Sequence, residues 1–206
     1  MKHYTRKQSL LFISMLGSLF FSASLLATVN IGQPAPVFEG VDSNGQRHSL
    51  SDFIGKTVVL EWTNHDCPYV VKYYSSNAMQ SLQKQATGDG VIWLSIISSA
   101  PGKQGHVSAQ DANNLTESRN ASPTAVILDE QGEIGKLYGA KTTPHMYIIN
   151  SKGELVYMGG IDSIASTRTG DIEKAKPYVK TALQQLADGK AISDQVTRPY
   201  GCSVKY

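Results

Sequence analysis

The residues of this chain best placed to do chemistry gather in Leu60-Glu61-Trp62-Thr63-Asn64-His65-Asp66-Cys67-Pro68-Tyr69-Val70. A short β-rich run, Thr57 to Thr63, gives way here to a helical pattern, and Cys67 stands at the junction. Pro68 suits a first helical position, where its missing N–H would have no partner anyway. A cysteine at a helix N-terminus meets unpaired backbone N–H groups and the positive end of the helix dipole, and both favour thiolate over thiol. The thiolate is the nucleophile, so Cys67 is a candidate reactive thiol; the alternative is a small buried core residue. The other cysteine, Cys202, lies in a polar tail at residues 189–206. In an exported chain the two are expected to pair. A reversible bridge would make Cys202 a resolving thiol that attacks Cys67 once Cys67 is a sulfenic acid or a mixed disulfide. That reading requires a mobile tail. A permanent bridge would hold the tail instead, closing so long a loop that it stabilises the fold by on the order of 5 kcal/mol. An unpaired thiol is the third alternative.

Several elements must position these groups. Val29 to Phe38 reads as an extended opening, because Pro34 and Pro36 exclude helix. Asp42-Ser43-Asn44-Gly45 is a turn that returns through Arg47–Leu50, and Ser49 to Phe53 can make one helical turn. After Cys67 a helix is expected with Val71, Tyr74, Ala78 and Leu82 as its apolar stripe, leaving Lys72, Ser76, Gln80 and Gln83 off that face. Gly88-Asp89-Gly90 ends it. Val91–Ile97 and Thr124–Leu128 read as further central strands, separated by a helix that Ser108 caps. His145–Asn150 and Glu154–Met158 form a hairpin across Ser151-Lys152-Gly153. A last helix spans Asp171–Ala187, with Pro177 marking either its true start or a kink. This order predicts an α/β layer sandwich with a central mixed β-sheet flanked by helices.

Composition narrows the setting. Hydrophobic residues make up 41% and charged residues 17%, enough for a core and too few charges for a disordered polyelectrolyte. Lys2, Arg6 and Lys7 are the only charges before Glu39. Without these three of its 19 basic residues the chain carries 16, against 17 acidic, so nucleic acid is not an expected partner. The same three residues head an uncharged apolar stretch, Leu10 to Leu26, and residues 1–27 read as a secretory signal cleaved after Ala27. The alternative is an uncleaved anchor of about 17 residues, at the short limit for a spanning helix. Cleavage would leave no stable membrane insertion. Either way the remaining domain, 28–206, is expected outside the cytoplasm, periplasmic or secreted, where disulfides persist.

The Cys67 stretch resembles the active-site segment of the thioredoxin superfamily, where a strand ends in Trp-rich sequence and Cys-Pro opens a helix. Thr143-Pro144, ahead of the strand at His145, resembles that fold's cis-proline turn. Ala35-Pro36-x-Phe38, Asp42-x-x-Gly45 and Lys56–Leu60 resemble the opening of redoxin domains, including the alkyl hydroperoxide reductase/thiol-specific antioxidant group. The ending Arg198-Pro199-Tyr200-Gly201-Cys202-Ser203-Val204-Lys205-Tyr206, with Pro144-His145, looks most like secreted peroxiredoxin-like proteins of that group. The resemblance covers about residues 29–206. It implies a thioredoxin fold with an N-terminal β extension and a C-terminal tail, and an antioxidant or thiol-disulfide oxidoreductase that uses no cofactor beyond its thiols. Its partners would be a thiol or disulfide protein, or a peroxide, and an external reductant.

The resemblance assigns roles residue by residue. Cys67 attacks, Cys202 resolves, and Pro144 shapes the substrate groove. Glu61, six residues before Cys67, matches the buried acid that moves protons in thioredoxins. In a central strand its pKa would be raised; at an exposed strand edge it would merely be solvated. The chain also departs from the pattern. Thioredoxins carry Cys-x-x-Cys, and Val70 replaces the second cysteine. Peroxiredoxins carry Thr, Pro and Arg where this chain has Asn64, Leu60 and Pro144. Asn64 can still donate to a peroxide oxygen, Lys141 can supply a charge, and His65 can tune the thiolate. A metal alternative groups Cys67, His65, His145 and Cys202 around a soft ion such as Cu(I) or Zn, as a metallochaperone module would. His48 and His106 are expected to face solvent.

Overall fold

Residue 1 and residues 29–206 are described by the computed structural model; the predicted leader lies outside the described residues. The extended opening leads into a hairpin of β1, Glu39–Val41, and β2, Arg47–Ser49. β3, Val58–Trp62, follows and is buried along its whole length. α1, Pro68–Ser75, and α2, Ala78–Gly88, carry the chain to β4, Ile92–Ile97. α3, Ala109–Ser118, leads to β5, Ala125–Leu128, and α4, Glu133–Tyr138, to a two-residue strand β6, Thr142–Thr143. β7, His145–Ile149, and β8, Leu155–Gly159, form the expected hairpin. α5, Tyr178–Ala187, precedes the tail, which ends in β9, Cys202–Ser203.

The central sheet has the order β5-β4-β3-β7-β8. β3 runs parallel to β4 and antiparallel to β7, so the sheet is mixed and β3 is its middle strand. Alternation along β3 divides the core. Val58, Leu60 and Trp62 join Phe38, Ile127, Tyr138 and Tyr147 on the face covered by the hairpin, α4 and the tail. Val59 joins Tyr73, Met79, Trp93, Ile148 and Val179 on the face covered by α1, α2 and α5. β5, expected to be central, is the sheet's edge, and its free side is shielded by a bridge from Asp42 to Ile127.

Three local details are decided in the structure for identifiable reasons. The helix after Cys67 breaks at Asn77, which adopts a left-handed conformation at φ 60. Past the break Gln80 and Gln83 are buried, and ahead of it Val71 is exposed while Lys72 is buried against Asp162. The last helix starts after Pro177, because proline ends the preceding turn rather than continuing through it. α4 is too short for a periodic signal; it is held at its start by the Asp129 carboxylate, which accepts the N–H groups of Ile134 and Gly135 at 3.2 and 2.9 Å.

His48 also differs from expectation. It is buried, with Nε2 2.9 Å from the Asp42 carboxylate. Burial works to raise the Asp42 pKa, but hydrogen bonds from His48 and from the N–H groups of Gln46 and Asn44 outweigh it and hold the carboxyl below its ordinary value. A carboxyl with a lowered folded-state pKa stabilises the fold above its unfolded value, and the contribution is lost as pH falls through the folded one. Asp42→Asn should therefore flatten the acid side of the stability curve. Chemical melts at pH 3 and pH 7 should differ less for the variant than for the parent.

Candidate functional site

Cys67 caps the N-terminus of α1, with Pro68 at the first helical position. Its backbone N–H donates to Asn64 O, and its carbonyl accepts the N–H groups of Val70 and Val71, so the sulfur is fixed at the strand-to-helix turn. Cys67 is completely buried. Opposite it runs the Thr143-Pro144 peptide, which is cis, and Cys67 Sγ donates to the Thr143 carbonyl at 3.0 Å.

The tail supplies the other wall. β6 pairs antiparallel with β9, setting Thr143 opposite Cys202. The Cys202 N–H consequently donates to Cys67 Sγ at 3.4 Å. Both cysteines are free thiols, and Cys202 is the partly exposed one. Their environments split the pair. Burial pushes the Cys67 thiol up, but hydrogen bonds with the side chains of Cys202 and Thr143 and from the N–H groups of Cys202 and Val70 bring it below its ordinary value. Burial, together with the hydrogen bond and charge of Cys67, pushes Cys202 up to about 11.

The tail is anchored along its length rather than loose. Thr197 Oγ1 accepts the Gly160 N–H at 3.0 Å and exchanges a hydrogen bond with the Tyr157 hydroxyl at 2.7 Å. Gly201 lies so close to the Thr143 carbonyl that a Cβ at this position would overlap it, and its φ of 144 suits only glycine. The Lys205 carbonyl accepts the Ala100 N–H, and the Tyr206 hydroxyl donates to Ala140 O at 2.9 Å. Tyr200 donates to the buried Asp162, which also accepts from Tyr73 and lies 3.6 Å from Lys72 Nζ. The Lys72 ammonium is fully buried and sits 4.9 and 5.5 Å from the Tyr73 and Tyr200 rings. The sequence reading missed this cluster because the helix phase it assumed put Lys72 outside.

The remaining predicted residues are placed as follows. Glu61 is fully buried on the α1–α2 face, not at a solvated edge. It accepts from Trp93 Nε1 at 2.8 Å, Ser95 Oγ at 3.0 Å, Gln83 Nε2 at 3.1 Å and the Tyr74 hydroxyl at 3.2 Å. Burial raises its pKa against the lowering effect of these four donors. Its hydrogen bonds reach neither sulfur. Asn64 likewise turns its side chain to the loop: Oδ1 accepts the Asp66 N–H and Nδ2 donates to Gln104 O, at 2.9 and 3.3 Å. Pro144 follows the carbonyl that contacts Cys67. His65 pairs with Asp66 at 3.3 Å. His145 is buried, and burial pushes its pKa down to about 4, so the ring is neutral; its Nδ1 accepts the Lys141 N–H at 3.2 Å. Among the described residues no three His, Cys, Asp or Glu side chains are grouped to hold a metal. The four proposed ligands of the metal alternative are therefore not assembled, since each histidine is turned to its own loop.

The AhpC/TSA family profile matches residues 31–158, more than half of the chain. The chain belongs to the AhpC/TSA family. It is a redoxin of the thioredoxin superfamily, and the mixed five-stranded sheet with flanking helices is the thioredoxin fold. Solved structures agree on the architecture. An uncharacterized conserved protein from Geobacillus kaustophilus superposes with a TM-score of 0.73 at 23% identity, over 87% of this chain and 93% of its own. A hypothetical protein from Sinorhizobium meliloti gives 0.75 at 20% identity, over 87% and 96%. A putative thiol:disulfide interchange protein DsbE from Chlorobium tepidum gives 0.55 at 21%, over 79% and 98%. No curated protein matches the chain. No helix among the described residues is long and apolar enough to cross a membrane.

Two variants probe the polar groups of this redoxin. Asp162→Ala leaves the Lys72 ammonium buried without its partner and should cost about 3–5 kcal/mol. Paired removal of Lys72 and Asp162 should cost less than the sum of the two single losses in a double-mutant cycle. Glu61→Gln keeps an oxygen toward Trp93, Ser95 and Gln83 and presents an amide to the Tyr74 hydroxyl. A carboxyl with a raised folded-state pKa stabilises the fold below its unfolded value and loses that contribution as pH rises through the folded one. Glu61→Gln should thus hold its melting temperature from pH 5 to pH 8 better than the parent does.

Proposed function

We propose that this redoxin is an exported thiol-disulfide oxidoreductase in which Cys67 is the nucleophile and Cys202 of the same chain resolves the intermediate. The observation that carries the reading is the β6–β9 pairing, which brings the Cys202 N–H to 3.4 Å from Cys67 Sγ. The Cys67 thiolate attacks one sulfur of a substrate disulfide. The substrate S–S bond breaks, and the first substrate thiolate leaves and takes a proton from solvent. Cys202, having lost its proton, attacks Cys67 Sγ of the mixed disulfide, and the second substrate thiolate leaves. The substrate gains two electrons, the protein is left with a Cys67–Cys202 bridge, and an external thiol reductant returns the electrons. The split pair supports this division of labour, since Cys67 is the more acidic thiol and Cys202 stays protonated until it meets the intermediate.

A disulfide fits the site better than a peroxide does. The residues that stand in place of the peroxidase motif are Asn64, Leu60 and Pro144. Asn64 commits its Oδ1 and one Nδ2 N–H to the Asp66 and Gln104 backbone, which holds the amide toward its own loop. Export rests on the leader, whose compartment lets such a bridge persist. Glu61 takes no step in this cycle.

Alkylation and mass mapping of the mature protein test the cycle. After mild reductant both thiols should be free, and one equivalent of hydroxyethyl disulfide should close a Cys67–Cys202 bridge faster than one equivalent of hydrogen peroxide does. Cys202→Ser should accumulate the mixed disulfide on Cys67. A Cys67→Ser variant with full thiol-dependent turnover, or cysteines that never pair, would sink the proposal.

A further inference from the structure

A cleft of about 510 Å³ opens beside the thiol pair, lined by Tyr69, Thr142, Tyr178, Arg198, Tyr200 and Gly201 among others. Three of these flank the reacting groups in sequence. Tyr69 is the second residue of α1, two after Cys67, Thr142 precedes the residue whose carbonyl touches Cys67 Sγ, and Gly201 precedes Cys202. The cleft is thus lined by chain neighbours of both thiols, of which Cys202 is the partly exposed one while Cys67 is closed to solvent.

Its charge is uneven. Arg198 is exposed, and neither it nor the nearby exposed Lys141 has a carboxylate within ion-pair distance among the described residues. The acid at the cleft, Asp162, is already used by Tyr73, Tyr200, Lys72 and the Ile164 N–H. The side chain that remains available to a ligand's charge is thus a guanidinium, set among tyrosine rings that give apolar walls with polar rims.

Building on the cycle above, we propose that the cleft binds a carboxylate-bearing low-molecular-weight thiol, which reduces the bridge by attacking the sulfur of Cys202. In the step the thiolate forms a bond to Cys202 Sγ, the Cys67–Cys202 bond breaks, and Cys67 leaves as thiolate. A second thiolate then attacks the external sulfur of the mixed disulfide, releasing the small-molecule disulfide, and Cys202 takes up a proton. Two thiols are oxidised and one bridge is reduced. Exposure selects the sulfur attacked, and the N–H that Cys202 donates to Cys67 Sγ favours Cys67 as the leaving group.

The test uses the mature protein oxidised to its bridged form and three thiols: glutathione, which is anionic, 2-mercaptoethanol, which is neutral, and cysteamine, which is cationic. Rates are compared per thiolate, and the first adduct is trapped with acid and mapped. Glutathione should react fastest and its first adduct should sit on Cys202. Arg198→Glu should slow glutathione by about fivefold and leave 2-mercaptoethanol unchanged, and Lys141→Glu should act in the same direction. Equal rates for the three thiols, indifference to Arg198→Glu, or a first adduct on Cys67 would overturn the inference while leaving the two-thiol cycle intact. Failure of the bridge to form at all would instead remove the cycle, and this proposal with it.

Discussion

Two residues of the tail pair with two residues ahead of Pro144, and the site depends on that contact. Without it Cys67 would be a capping thiol at the end of a strand, open on one side. With it, Cys67 lies beneath a second backbone, receives an N–H from Cys202, and shares its hydrogen bonds with a second sulfur. The contact is close enough to demand glycine at 201, and it draws on tail anchors from Thr197 to Tyr206.

Those anchors rest on groups that proteins seldom bury. Lys72 and Asp162 are fully or almost fully withdrawn from water, and two tyrosine hydroxyls complete the carboxylate's partners. Such a cluster contributes little net stability, because desolvation offsets most of the attraction, but removing any one partner is costly. Its place in the fold explains its use. Lys72 lies one turn into the helix that Cys67 caps, and Tyr200 lies two residues before Cys202. The cluster ties the helix bearing one thiol to the strand bearing the other. Glu61 plays a comparable part on the same face of the sheet, where four donors lock α1, α2 and β4 around β3.

An anchored tail changes how access must be understood. Mobility is not needed for a small thiol to reach a sulfur that is already partly exposed. A large disulfide substrate faces a different barrier, since Cys67 itself is closed to solvent.

Much of this was legible in the residues. The strand before Cys67, its turn into a helix opened by Pro68, the β7–β8 hairpin and the mixed sheet all follow from local pattern and turn chemistry. The place of Cys67 at a helix start follows from the same local signals. Other features depended on what lies across space. The burial of Lys72 is decided by Asp162 and the Ile164 carbonyl in the loop after β8, which no periodicity within α1 reports. α4 is set by a carboxylate and two flanking glycines rather than by an apolar stripe. Glu61 could have been solvated or buried from its strand alone; its four donors come from α1, α2 and β4. By itself the sequence determined that a thiol would stand at a strand-to-helix turn, because that depends on neighbours in the chain. Only the tertiary structure decided that the second thiol would meet it, because a contact across so many intervening residues is made by the whole sheet and tail folding together.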